Sequence, residues 1–210
     1  MGILSAIAIA GMIFTFDIDS GPNKTTEKIL NVLKKNKVRA VFCLVGNTLN
    51  NRKSKRLVKR MVREGHTLCN HSQTHRSPRY LNSWQKVWEI KKSQKIISQV
   101  SGVVPKFYRA PSCQKTHLQL KYIRALGIKY LPCQVDSGDW RKQYGISTYW
   151  RIVNQYKAGK RGVLVLHNKY STYLILQKLI DKLKSYITYS SSNLRISLGV
   201  GKTPSLQIRF

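Results

Sequence analysis

The sequence predicts an α/β domain built on parallel strands. Three observations carry that expectation: short apolar runs alternate with amphipathic helical stretches, glycine closes several of the helical stretches, and polar clusters stand at the ends of successive strand candidates. At 210 residues the chain has room for one domain with a sizeable core and not for two comfortable ones.

In chain order, a strand at 11–16 (GMIFTF) leads to a helix over 25–35 with Ile29, Leu30, Val32 and Leu33 on one side. A strand at 38–45 (VRAVFCLV) leads to a helix over 52–64 carrying Leu57, Val58, Met61 and Val62. The strand 66–70 (HTLCN) leads to a helix over 83–101 with Trp84, Val87, Trp88 and Ile97, stopped at Gly102. Strand 106–109 (KFYR) precedes a helix over 115–126 that ends at Gly127, and strand 128–135 (IKYLPCQV) precedes one over 147–158 that ends at Gly159. Strand 162–166 (GVLVL) precedes a helix over about 173–185, and 186–189 (YITY) reads as a seventh strand. Glycine stops a helix because it adopts positive φ without a Cβ clash.

The predicted domain spans 11–190. Residues 1–10 are apolar and end in Ala8-Ile9-Ala10, so they read either as a signal-peptide remnant or as the approach to the first strand. Residues 191–210 form a basic, weakly patterned tail, and no run is long enough to span a membrane.

Thirty-eight Lys and Arg against eight Asp and Glu give a formal net charge of +30. Such a field favours an anionic partner, an acidic wall polymer or a membrane surface, or it reflects nothing more than free use of lysine. Nucleic acid is not the expected partner, because no helix-turn-helix, RRM-type aromatic motif or finger spacing is present. The four cysteines, Cys43, Cys69, Cys113 and Cys133, contain no C-x-x-C pair. Cys43 reads as a small buried hydrophobe, and neither a disulfide framework nor a zinc knot follows from the spacing.

The eight acids are more informative than the many bases. Four of them fall in Asp17-Ile18-Asp19 and Asp136-Ser137-Gly138-Asp139. In an extended chain a spacing of two puts Asp17 and Asp19 on one side, where two carboxylates repel unless a cation attends them. His71 and His75 are four apart; on a helical turn both imidazoles would share one face and could share a metal. Arg109, Asp139-Trp140 and His167 also follow strands, and in a parallel α/β barrel those ends share the face that carries chemistry.

At these residues the chain resembles the polysaccharide deacetylases of carbohydrate esterase family 4, the NodB-homology domain. Thr15-Phe16-Asp17-Ile18-Asp19-Ser20-Gly21-Pro22 is similar to the family's T-F-D-D-G-P, with Ile18 and Ser20 extra. His71-Ser72-Gln73-Thr74-His75 is similar to H-[ST]-x-x-H, Arg109-Ala110-Pro111 to R-x-P, Asp136 to Trp140 to D-x-x-D-W, and Val165-Leu166-His167 to the closing L-x-H. The resemblance implies a distorted (β/α) barrel of about seven parallel strands, the NodB or polysaccharide deacetylase fold. It also implies a metal-dependent hydrolase that removes N-acetyl groups from polysaccharide of the chitin or peptidoglycan type, outside the cell or on its surface.

Carried over by position, the resemblance makes Asp17 the general base, and Asp19, His71 and His75 the ligands of a divalent metal. Zinc is the default, with cobalt, nickel or iron also suited. Arg109 would keep Asp17 charged, and Asp139 would orient His167 as general acid. Trp140 and Val165 would line the acetyl pocket, and the backbone N–H of Ser112 would meet the oxyanion. Ser112-Cys113 in place of Tyr-Gly, Val165 in place of Leu, and Asn168 in place of Asp bear on substrate preference more than on reaction type. The alternative reading is a catalytically weak or inactive metal-binding protein of the same fold, held to an anionic polymer by its basic surface.

Overall fold

The computed structural model describes residues 8–141 and 145–197. Its centre is strand β2 (Met12–Ile18), every residue of which is buried. Strands β3 (Val41–Leu44) and β8 (Gly162–His167) flank it, both parallel to it. Beyond β3 lie β4 (Thr67–Asn70), β5 (Phe107–Tyr108) and β6 (Lys129–Tyr130), and beyond β8 lies β7 (Val135–Asp136), giving the order β6-β5-β4-β3-β2-β8-β7. A short β1 (Ala8–Ile9) adds antiparallel to the start of β2, beside residues that lie ahead of the β3 pairing.

The two-residue period of β2 sorts its side chains between two cores. Met12, Phe14, Phe16 and Ile18 join the large core, which also holds apolar residues of α1 (Lys24–Lys35), α2 (Arg52–Arg63), α5 (Gly145–Lys157) and α6 (Tyr170–Ser197). Ile13 packs on the other face with Val41, Cys43, Cys69, Leu131 and Val163, a cluster to which no helix contributes. That helix-free face is the inside of the curl. Thr15 and Asp17 continue along it, opposite Val165 and His167 of β8. The interior therefore grades from apolar at the bottom to ionisable at the C-terminal ends of the strands.

The sheet curls without closing by hydrogen bonds. Its edge strands β6 and β7 are joined by residues 131–134, so they lie no more than about 18 Å apart. The expected single strand over 128–135 is thus two strands on opposite edges. Leu131 still donates to Tyr108 O, but Pro132 has no N–H to continue the ladder, and Gln134 N already donates to Val163 O of β8, the neighbour of β7.

Two further expectations are corrected. Residues 186–189 are not a strand: α6 continues through them to Ser197. The buried positions Leu176, Leu179, Ile180 and Leu183 keep helical spacing, and Tyr186 extends it by stacking on Tyr156. Packing overrides the β-favouring composition there. On α3 (Ser83–Ser101) the buried stripe is Glu89, Ile90, Ser93 and Ile97, whereas Trp84 and Trp88 face outward and stack on each other.

Candidate functional site

The polar ends of five strands, β2, β4, β5, β7 and β8, meet at the top of the curl. The chain leaves β2 through a turn in which Gly21, at φ 81°, donates to Ile18 O, and α1 then starts on its N-cap Asn23. Asn168, just past β8, is buried and donates to Gly21 O and to Thr26 Oγ1, tying this turn to the far side of the site. Asp19 lies within that turn.

His71 follows β4 and is buried. Its Nδ1 lies 2.8 Å from Arg109 O. A carbonyl can only accept, so Nδ1 carries the proton and Nε2 presents a lone pair. That Nε2 is 3.5 Å from Asp19 Oδ1, and His75 Nε2 is 3.4 Å from the same oxygen. The spacing of two histidines by four does not come from a helix: Ser72 and His75 have φ of 68° and 59°, and the segment is a loop.

The residues fit a metal ion. Donors about 2.1 Å from a tetrahedral centre stand about 3.4 Å from one another. One ligand atom each from Asp19, His71 and His75 lies within 4.8 Å of the others. Asp19 Oδ1 is buried and has no hydrogen-bond donor, the state of an oxygen arranged for a cation. Burial opposes charge on Asp19, but the imidazoles of His71, His75 and His167, when protonated, outweigh it and bring its pKa down to about 2.

Two further groups flank the triad. Asp17 Oδ2 is 3.7 Å from His71 Nε2, and its Oδ1 accepts from Arg109 Nη1 at 2.7 Å. Arg109 is fully buried and also donates to Thr15 Oγ1 at 2.7 Å and to Pro132 O at 3.2 Å. Burial would raise the Asp17 pKa, yet Arg109 and then His71 hold it below the ordinary carboxylate value. On β8, His167 Nε2 is 3.7 Å from Asp19 Oδ2. Its Nδ1 donates to Asp139 Oδ1 at 2.6 Å, and Asp139, buried, outweighs the effect of burial and raises the imidazole pKa.

Of the other expected site residues, Val165 lies buried on the interior face of β8 below His167. Trp140 is 53% exposed at the rim, its indole donating to Asp136 Oδ1. Ser112 sits at φ 55° in the turn after β5. Among the described residues, no hydrogen bond or ion pair joins these three to the triad. The turn is fastened by a disulfide, Cys113–Cys133, that the spacing of the cysteines did not suggest. It links the loop after Arg109 to the segment beside Pro132, and it becomes legible only once β5 and β6 are neighbours.

Glu89 was also missed. It accepts the backbone N–H groups of Gln73 and Thr74 at 2.7 and 2.8 Å and the hydroxyl of Thr74. The available signal was a carboxylate in helical phase with the buried Ser93 and Ile97.

Fold and site together define a curled parallel α/β half-barrel protein in which Asp19, His71 and His75 could hold a cation beside the Arg109-paired Asp17 and the Asp139-paired His167. Comparison with known proteins agrees. A profile of the polysaccharide deacetylase family matches residues 11–131, and the chain belongs to that family. A peptidoglycan-N-acetylglucosamine deacetylase of Bacillus cereus is 34% identical over 124 residues, covering 59% of this chain and 44% of that protein. The crystal structure of the Bc1960 peptidoglycan N-acetylglucosamine deacetylase, in complex with 4-naphthalen-1-yl-N-oxidanyl-benzamide, has a TM-score of 0.75 at 27% identity, over 86% of this chain and 84% of that one. A family pseudoenzyme from Bacillus anthracis shares the fold with a TM-score of 0.77 at 23% identity, over 86% of this chain and 62% of that one. The chain spans about half the length of the first curated relatives it matches.

Proposed function

We propose that this chain is a metal-dependent hydrolase that removes N-acetyl groups from polysaccharide containing N-acetylglucosamine, of the chitin or peptidoglycan type, outside the cell or on its surface. The observation that supports this reading is the convergence of Asp17 and His167 on the Asp19, His71 and His75 triad, Asp17 beside His71 and His167 beside Asp19. A divalent ion held by those three residues, zinc by default with cobalt, nickel or iron also suited, would polarise the acetyl carbonyl and acidify the attacking water.

The chain's own groups supply the proton transfers. Arg109 occupies Asp17 Oδ1 and leaves Oδ2 facing the triad, so the ionised carboxylate is available to take a proton from water. The His167 ring, fixed through Nδ1 by Asp139, presents Nε2 to the site and in its protonated form gives that proton to the departing sugar amine. The amide C–N bond breaks to yield acetate and a free amine. We assign the oxyanion to the Ser112 N–H, and the acetyl methyl to Trp140 and Val165. Support for these three assignments is their place in the sequence motifs.

Acetate release from chitooligosaccharides, with and without chelator, tests the proposal. Release that chelator abolishes, and that Asp17→Asn lowers by about 100-fold or more, is expected. Unchanged release in Asp17→Asn would refute the base. Metal binding without release from any acetylated glycan would favour the inactive alternative.

A further inference from the structure

We infer that Glu89 is a positioning residue that pre-forms the metal triad by holding the loop between its two histidines. The inference rests on the reading of Asp19, His71 and His75 as the metal ligands.

The loop from His71 to His75 needs a holder. Ser72 and His75 both lie in the left-handed region without being glycine, and such backbone persists only where its surroundings impose it. The restraints are visible. Ser72 N donates to Asn70 Oδ1 at 2.9 Å, and His75 N to Ser72 Oγ at 3.1 Å. The carbonyls of Ser72 and Gln73 accept from Gly46 N and Asn47 N at 3.0 and 2.9 Å. Between these lie the N–H groups of Gln73 and Thr74, and both are met by one oxygen of Glu89, while the other oxygen meets the Thr74 hydroxyl.

Glu89 has no other evident task. It is 3% exposed, and among the described residues it forms no ion pair. An ionised carboxylate without a cation is costly to bury unless hydrogen-bond donors satisfy it. All three of its donors come from Gln73 and Thr74, midway between the ligands. The side chain thus spends its hydrogen bonds on fixing one imidazole relative to the other. A loop so held loses little freedom when an ion arrives, which tightens binding.

The chemistry separates geometry from charge. In Glu89→Gln, the amide oxygen can accept both N–H groups while the amide nitrogen donates to Thr74 Oγ1, so the contacts survive without the charge. In Glu89→Leu the volume remains and every acceptor is gone.

The test is zinc affinity of the full chain, measured by competition with a chelating indicator at one pH, for wild type, Glu89→Leu, Glu89→Gln and His75→Ala. The expected result is a Kd raised about 10- to 100-fold in Glu89→Leu and near wild type in Glu89→Gln. A folded Glu89→Leu with wild-type Kd would overturn the inference, even if its chelator-treated form unfolds at lower temperature, since that pattern marks a merely structural role. Should Glu89→Leu fail to fold, Thr74→Val removes one of the three contacts from the loop side. A raised Kd there supports the inference and an unchanged one overturns it. Zinc bound no more tightly by wild type than by His75→Ala would instead refute the ligand assignment itself, and the inference with it.

Discussion

His167 and Asp139 meet twice: the ring Nδ1 donates to one carboxylate oxygen at 2.6 Å, and the backbone N–H of the same histidine donates to the other at 2.7 Å. Ser137 and Thr172 add hydroxyl donors to those two oxygens. The carboxylate is therefore saturated and fixed, and it sets both the angle of the imidazole and which nitrogen carries the proton. Asp139→Asn should lower kcat for acetate release by about 100- to 10,000-fold and leave KM nearly unchanged. Steady-state kinetics on a chitooligosaccharide reads this directly; a wild-type kcat would show that the pair does not serve proton transfer.

Among the described residues, Arg109 and Asp17 form the one arginine–carboxylate pair with both side chains buried, in the floor of the site. Removing the cation strands a charge with no other arginine or lysine in contact among the described residues. Arg109→Met should cost about 3–5 kcal/mol in urea unfolding. Adding Asp17→Asn to that variant should recover part of the loss, because the stranded charge goes too. Additive losses would contradict the pairing.

How far the chain announces this arrangement depends on the kind of interaction. The strand that ends in Asp17, the glycine-stopped helices and the motif positions are local, and all can be read from residues near one another. The pairing of Cys113 with Cys133 is not local, since it depends on β5 and β6 becoming neighbours. Pro132 is the local mark of the break that sends β7 to the opposite edge, but the apolar run around it hides the signal. The helix through 186–189 follows from Tyr186 meeting Tyr156, a contact made only in the folded chain. His71 and His75 come together for a reason their spacing does not give: the segment between them is not a helical turn but a loop whose Gln73 and Thr74 N–H groups donate to Glu89.

His66 makes stability depend on pH. Its Nδ1 accepts from Ala40 N at 3.1 Å, a bond that protonation destroys. Burial, opposed by Glu64 and reinforced by Arg60 and Arg39, brings its pKa from 6.5 down to about 4. The unfolded chain thus binds the proton more readily. Stability from this group is full above pH 6.5 and falls as the pH drops toward 4, by about 3 kcal/mol in total. His66→Asn keeps an acceptor without titrating, so urea unfolding at neutral and mildly acidic pH should show a shallower acid loss than wild type. An identical acid loss would remove His66 from the account.

The Cys113–Cys133 bridge closes a loop with a sequence separation of 20, which corresponds to about 3 kcal/mol of stabilisation through the unfolded chain. The double substitution Cys113→Ser with Cys133→Ser should lose about that much in urea unfolding. It should also lower kcat, because the fastened turn follows Arg109 directly and carries Ser112. Unchanged kcat would free that turn from any part in the reaction.

The position of a bound divalent ion decides whether Asp19, His71 and His75 are its ligands. Crystals soaked in zinc and measured at the zinc absorption edge locate it without reference to activity. The predicted result is one anomalous peak about 2.1 Å from a carboxylate oxygen of Asp19 and from Nε2 of both His71 and His75. A peak elsewhere, or a site that stays empty while zinc occupies the surface, would contradict it.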